Sequence, residues 1–179
     1  MKIINTKRMV TISMIAALYT AICIALAPFS FGPIQVRVSE ALALLPIFSM
    51  AGVWGITLGC ALSNLIGFLT GANILGIFDI LFGTLATFLA ALLTRKFRNI
   101  RILGFPFISA IPPIIINALV IGAELSFLLS SKNNFMATYM INCLYIGVGQ
   151  FLSCFVLGVP LIRLLERTGT VKKYFDTIE

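Results

Sequence analysis

The sequence contains no histidine and few charged residues, and each absence excludes a class of function. Without imidazole there is no histidine proton relay and little scope for a zinc or haem site. Charged residues make up only 11% of the chain, about half of the fraction found in soluble domains. A metalloenzyme and a water-soluble globular domain are therefore both disfavoured, and we expect no cofactor in this chain.

The sequence also lacks the motifs for metal binding by cysteine and for ATP hydrolysis. The four cysteines, Cys23, Cys60, Cys143 and Cys154, lie in apolar runs without CxxC spacing, which predicts packing residues rather than metal ligands. No GxxxxGK[ST] phosphate loop is present, so the chain is not itself expected to hydrolyse ATP. No catalytic residues are predicted, although an intramembrane enzyme remains an alternative.

Long apolar runs are what the sequence does contain, with 60% hydrophobic residues. Crossing ~30 Å of hydrocarbon takes ~20 helical residues, and runs of that length recur along the chain. We predict an all-α, polytopic membrane protein with one domain over residues 1–179. Its six expected transmembrane helices cover about 9–27, 38–50, 53–69, 75–94, 102–129 and 135–165.

Basic residues predict the orientation of these helices. Positive charge is retained in the cytoplasm, and 11 of the 13 Lys and Arg residues fit a location of both termini there. We therefore expect a multi-pass membrane protein with cytoplasmic N and C termini, and no nucleic-acid partner. The 11 residues are Lys2, Lys7, Arg8, Arg95, Lys96, Arg98, Arg101, Arg163, Arg167, Lys172 and Lys173.

Small residues recur at four-residue spacing on two of the predicted helices, which permits close approach of helices in lipid. On the third helix the spacing predicts a face buried inside the bundle. On the first helix, Ala17, Ala21 and Ala25 are open to two interpretations: internal packing, or a docking face for another membrane subunit. The third-helix stripe is Gly55, Gly59, Ser63, Gly67 and Gly71.

Acidic residues inside apolar helices indicate a ligand site, because an intramembrane charge persists only with a partner, a cavity or a function. In the predicted outer half, three acids exceed two bases, Arg37 and Lys132, and an Arg37–Glu40 ion pair would account for only one of the acids. Amides and aromatic residues at similar depth add convergent polar groups to an apolar cavity. The candidate substrate-binding residues are Glu124, Asp79, Glu40, Arg37, Asn117, Asn142, Tyr139, Asn73, Asn64, Phe31 and Phe78.

Several segments resemble the substrate-binding S components of energy-coupling factor transporters, and most closely the QueT family, which is associated with uptake of queuosine precursors. The most specific string is FGPIQVRVSEAL at 31–42. The others are AALY at 16–19, LAP at 26–28, LLP at 44–46 and GIFDILFGTLAT at 76–87. The resemblance implies a protein of a bacterial cell membrane with six helices, cytoplasmic termini and a ligand pocket near the outer face.

The resemblance also implies partners and a ligand. A transmembrane coupling subunit would contact the alanine stripe on the first helix, and two cytoplasmic ATPases would use ATP and magnesium. The ligand would be a 7-deazaguanine compound such as queuine or queuosine, with Glu124 or Asp79 accepting its paired N–H donors. A stand-alone ion-coupled transporter of a small cationic or heterocyclic solute is the alternative.

Overall fold

The computed structural model describes residues 6–32, 35–130, 134–169, 171 and 175, and within these ranges the regular structure is helical. Seven α-helices are joined by a 3-10 helix, Val38–Ile47, and two π-helical segments, Asp79–Gly83 and Phe151–Gly158. The α-helices are α1 Thr6–Ala25, α2 Ala27–Ser30, α3 Met50–Leu69, α4 Thr84–Lys96, α5 Phe107–Leu129, α6 Phe135–Gln150 and α7 Val159–Arg167.

Four helices among the described residues are long and apolar enough to cross a membrane. They are Thr6–Ala25, Met50–Leu69, Phe107–Leu129 and Phe135–Arg167, the last running unbroken through α6, the second π-helical segment and α7. Residues 77–96 also form a continuous helix that contains the first π-helical segment and α4, and at ~1.5 Å per residue it reaches ~30 Å. The prediction of a helical membrane protein with long apolar helices is therefore confirmed.

The helix predicted over 38–50 is wrong in type and length. Val38–Ile47 is a 3-10 helix of 10 residues, which spans only ~20 Å at ~2.0 Å per residue. Pro46 lacks a backbone N–H donor, and Ser49 caps the next helix by accepting a hydrogen bond from the Gly52 amide. All residues from Ser39 to Ile47 are buried, so this segment lies inside the bundle.

The fifth helix begins later than the predicted 102–129. A tight turn occupies its expected first residues, with Leu103 at φ 53° and Gly104 at φ 80°. The amide and carbonyl of Ile102 are both hydrogen-bonded to Phe105, and α5 starts at Phe107, directly after Pro106. Positive φ at two successive residues is incompatible with a right-handed helix, which explains the later start.

The glycine stripe of α3 lies in the packed interior, as its spacing predicts. A Cβ added to Gly55 or Gly59 would lie 2.7 Å from the Cβ of Ile15 or Tyr19 on α1, and one on Gly67 would lie 2.8 Å from Phe31. Ser63 is fully buried. Gly71 follows the end of α3 at φ +71°, where it forms a turn rather than a packing contact. The helices therefore pack with α1 against α3 and with α5 against both α4 and α6.

Candidate functional site

A buried ion pair joins the segment before the 3-10 helix to the helix 77–96. Arg37 Nη2 lies 2.6 Å from Asp79 Oδ2, and the two side chains are 3% and 0% exposed. Asn73 Nδ2 donates to the same oxygen at 2.9 Å, and Asn64 Nδ2 donates to the Asp79 carbonyl at 2.7 Å. We call Arg37, Asp79, Asn73 and Asn64 the ion-pair centre.

Arg37 also contacts the end of α2 and the residue that follows it. Its Nε donates to the Ser30 carbonyl at 3.0 Å, and its guanidinium lies 5.3 Å from the centroid of the Phe31 ring. Phe31 is itself 1% exposed. The alternative of an Arg37–Glu40 ion pair is wrong, because the guanidinium is paired with Asp79, which lies 42 residues away in sequence.

Glu40 lies in the core and is bound by α1 instead. Tyr19 OH donates to Glu40 Oε1 at 2.5 Å, and Cys154 Sγ lies 3.5 Å from the Glu40 carbonyl. The second carboxylate oxygen, Oε2, has no hydrogen-bond partner among the described residues. Glu40 thus ties α1 to the 3-10 helix at a position that is 1% exposed.

Gly83 makes room for the Asp79 carboxylate. A Cβ at this position would collide with Asp79 Oδ1 and would lie 3.1 Å from Asn64 Nδ2. Asp79 and Gly83 are the first and last residues of the π-helical segment, a local widening that often occurs at functional sites. Glycine at position 83 therefore leaves the space that the Asp79 carboxylate occupies inside the bundle, and any residue with a Cβ would fill that space.

A second centre is an open pocket of about 370 Å³ between the helix 77–96 and α5. Neither Glu124 carboxylate oxygen has a hydrogen-bond partner among the described residues, and both are withdrawn from solvent. Phe78 and Phe127 are 64% and 78% exposed, so their ring faces are available. The Glu124 pocket is lined by Leu75, Phe78, Phe82, Glu124, Phe127 and Leu128.

The remaining candidates lie along the α5–α6 contact. Asn142 Nδ2 donates to Ser126 Oγ at 2.9 Å, which satisfies this amide within the protein. Asn117 is 3% exposed, and its Oδ1 has no partner among the described residues. Tyr139 stacks on Phe135 at 6.2 Å between ring centroids, and Phe135 contacts Phe127 at 5.0 Å. An aromatic row therefore leads from Tyr139 to the Glu124 pocket.

The candidate residues fall into three groups: those of the ion-pair centre, those that line the Glu124 pocket, and Glu40, Asn117, Asn142 and Tyr139, which belong to neither. Glu124 and Phe78 line the pocket, while the ion-pair centre is closed on itself and holds Phe31. Sequence reasoning missed Phe82 and Phe127, although helical spacing of four residues from Phe78 and three from Glu124 places each on the same face as its neighbour. It also missed Tyr19 as the partner of Glu40, for which no sequence signal exists.

The alanine stripe on α1 is exposed at Ala17, Ala21 and Ala25. Buried residues of α1, including Ile15, Ala16 and Tyr19, lie on its other side and pack on α3. A shallow groove of about 360 Å³ adjoins the stripe, lined by Ala17, Thr20, Ala21, Ile24, Leu62 and Ile66. Because the three alanines are exposed, they do not fit the interpretation as internal packing, and this face of α1 is available to a partner.

The two comparisons that find a match both point to transport proteins. A family profile described as QueT transporter matches residues 9–167. A "Queuosine precursor transporter QueT" from Lactococcus lactis subsp. cremoris (strain MG1363) is 40% identical over 70 residues, which are 38% of this chain and 41% of that protein. The alignment thus spans less than half of the relative's length, and no solved structure matches the chain. The family and the relative's name indicate a transporter, so the enzyme alternative is wrong.

Proposed function

The chain belongs to the QueT transporter family, and on that premise we propose that it is the substrate-binding subunit of an ATP-driven importer of the energy-coupling factor type. The proposed ligand is a queuosine precursor, a 7-deazaguanine compound such as queuine or queuosine. The printed name of the lactococcal relative supports this class of ligand. An ion-coupled transporter acting alone is the second candidate, since Glu124 is also a possible site for a coupling cation.

The proposed topology is one membrane domain over residues 1–179, with six crossing segments and cytoplasmic termini. The buried 3-10 helix would be the short second segment. The ion pair of Arg101 with Glu166, at 2.8 Å, supports this arrangement because it brings the basic α4–α5 loop and the end of α7 to one end of the bundle. An external thiol reagent should then label a cysteine at Thr70 and leave one at Asn99 untouched.

Each proposed partner has a separate role in transport. The exposed Ala17, Ala21 and Ala25 would contact the transmembrane coupling subunit, because small residues permit close helix approach. Two cytoplasmic ATPases would bind ATP and magnesium. Uptake that survives deletion of the ATPase subunits would instead favour the ion-coupled transporter.

The observation that carries the proposal is the bare carboxylate of Glu124 in an aromatic pocket. A buried acceptor without a donor costs about 1–3 kcal/mol, and a ligand that supplies N–H donors removes that cost. A deazaguanine ring offers a ring N–H beside an exocyclic amine, two donors that one carboxylate can accept. Asp79 Oδ1 also has no partner among the described residues, so Asp79 stays a second candidate for this contact.

Calorimetry with the purified protein and a 7-deazaguanine ligand tests the proposed site. Glu124→Gln and Asp79→Asn keep the shape of each side chain but exchange an acceptor oxygen for a donor. At least one of them should weaken binding about fivefold or more, roughly 1 kcal/mol. Glu166→Gln is the matched control, since that carboxylate is paired with Arg101 away from the pocket. Unchanged affinity in both site variants would refute the carboxylate contact.

A further inference from the structure

We propose that the turn between α4 and α5 is a lipid-binding element, in which Ile102 and Leu103 insert among acyl chains and Arg101 binds the phosphate of an anionic phospholipid. The inference goes beyond the proposed function and does not depend on which ligand the protein transports. We call residues 102–105 the α4–α5 turn.

Leucine is an unexpected residue at the tip of the α4–α5 turn. Leu103 has φ 53° and is the one residue other than glycine with positive φ in the described parts of the chain. A bulky side chain rarely adopts this conformation, for which glycine is the usual choice. Leu103 is also 90% exposed. Neither the backbone nor the packing of the protein accounts for a leucine at this position, whereas contact with an apolar phase outside the protein would.

The turn holds this leucine in a fixed position. The Ile102 amide donates to the Phe105 carbonyl at 3.0 Å, and the Phe105 amide donates to the Ile102 carbonyl at 2.9 Å. Phe105 packs against Phe107 at 5.4 Å between ring centroids, and both rings contact the hydrophobic core. Ile102, in contrast, is 45% exposed. One side of the turn is therefore anchored in the protein, while Ile102 and Leu103 present apolar surface outside it.

Charged groups beside the turn place it at the surface of a bilayer rather than in its interior. Arg101, the residue before the turn, lies 2.8 Å from Glu166 Oε1, and the two side chains are 29% and 23% exposed. Partly exposed ions need water or lipid headgroups around them, because hydrocarbon would leave them unsolvated. Apolar side chains beside basic ones are typical of segments that lie in the membrane interface. From that depth the tip reaches acyl chains while arginine stays among the headgroups.

The charges around Glu166 favour a phosphate group as the polar part of the bound lipid. Arg163 Nη1 lies 3.5 Å from Glu166 Oε2, so the guanidinium groups of Arg101 and Arg163 share one carboxylate. Arg163 also lies 5.6 Å from the centroid of the Phe105 ring and thus adjoins the turn. A cleft of about 340 Å³ opens beside Arg101 and Asn99. A phosphate there accepts charge-assisted hydrogen bonds from guanidinium, and anionic headgroups are attracted to basic groups of this kind.

Native mass spectrometry of the full-length protein tests the phosphate contact, by measuring how much phosphatidylglycerol or phosphatidylcholine stays bound. The wild-type protein should retain phosphatidylglycerol preferentially. Arg101→Gln should reduce this retention about fivefold, whereas Arg8→Gln, which removes the same charge from α1 outside the cleft, should change it by less than about twofold. Soluble glycerol phosphate, which carries the phosphate without acyl chains, should not displace the lipid.

Fluorescence tests the insertion of the tip. The chain contains one tryptophan, so Trp54→Phe removes its emission and Leu103→Trp then places a single probe in the turn. In bilayers this probe should be quenched by lipids brominated on their acyl chains and protected from iodide in the water. Leu103→Ser in the otherwise wild-type protein should lower phosphatidylglycerol retention about threefold or more, because an apolar contact is lost.

Three results would overturn the inference. Unchanged retention in Arg101→Gln, or a loss equal to that in Arg8→Gln, would show that basic residues attract the lipid without forming a site. Displacement by glycerol phosphate would show that the cleft binds a soluble phosphate compound instead of a lipid. Quenching of Leu103→Trp by iodide and not by brominated lipid would show that the turn lies in water, as expected for a surface that docks on another protein. None of these results affects the proposed contact of Glu124 with the transported ligand.

Discussion

The ion-pair centre and the Glu124 pocket each contain a carboxylate at the helix 77–96 or beside it, but the protein treats the two in opposite ways. Asp79 is 0% exposed and receives Arg37 and Asn73 on one oxygen. Glu124 receives no hydrogen bond from the described residues. Asp79 thus has donors on Oδ2 and none on Oδ1, whereas Glu124 has none on either oxygen, and a carboxylate without any donor is best explained by a molecule that brings them.

The largest expected effect on stability is removal of Arg37. Arg37→Met should leave Asp79 as an unpaired buried charge and lower the free energy of unfolding by about 3–5 kcal/mol. Arg101→Met is the matched control: its ion pair is partly exposed, so its loss should cost about 1 kcal/mol or less. Thermal unfolding in detergent micelles measures both. Equal effects would mean that the ion-pair centre is no more important than a surface pair.

A smaller loss is expected from Gly83→Ala. The added methyl group would collide with the Asp79 carboxylate, and overpacking of this kind costs about 1–3 kcal/mol. Gly147→Ala provides the comparison, because its Cβ would have its nearest neighbour 3.7 Å away, at the Ala118 Cβ. That variant should be neutral or slightly stabilising, since alanine favours a helix over glycine by ~1 kcal/mol. Equal free energies of unfolding for Gly83→Ala and Gly147→Ala would show that the ion-pair centre is not tightly packed around Asp79.

The smallest effect on stability is expected at the exposed alanine stripe of α1. Ala21→Leu changes an exposed residue of α1 and should alter the free energy of unfolding by no more than about 0.5 kcal/mol. Ligand binding by the isolated protein should persist, while uptake by cells carrying the complete transporter should be lost. Ala16→Leu, at a position that is 4% exposed, should instead destabilise the fold by about 1–3 kcal/mol. Uptake equal to wild type in Ala21→Leu would exclude this face as the docking surface.

The sequence was sufficient for features that depend on local spacing. Gly55 and Gly59 could be assigned to a packed face because their separation fits one side of a helix, and the apolar runs could be recognised by length alone. The partner of Arg37 could not be found in this way. Glu40 is three residues away and Asp79 is 42, and only the packing of the 3-10 helix against the helix 77–96 decides between them.

The same limit applies to the candidate site. Glu124, Asp79 and Glu40 are equivalent in sequence, since each is an acid in an apolar run. Their different environments arise from Arg37 beside Asp79, Tyr19 beside Glu40, and no described donor beside Glu124. Absence of a partner is a property of the folded chain, so the residue best suited to bind a ligand could be proposed from the sequence but not singled out.

The most direct test of the ligand assignment is mass spectrometry of the small molecules that remain bound through purification. Wild-type protein and Glu124→Gln would be purified in parallel from cells supplied with queuosine precursors, with Glu166→Gln as the control. Wild type and the control should each carry a 7-deazaguanine compound, and Glu124→Gln should carry at most about a fifth as much, in line with a fivefold loss of affinity. Equal amounts in Glu124→Gln and wild type, or no such compound in wild type, would contradict the account.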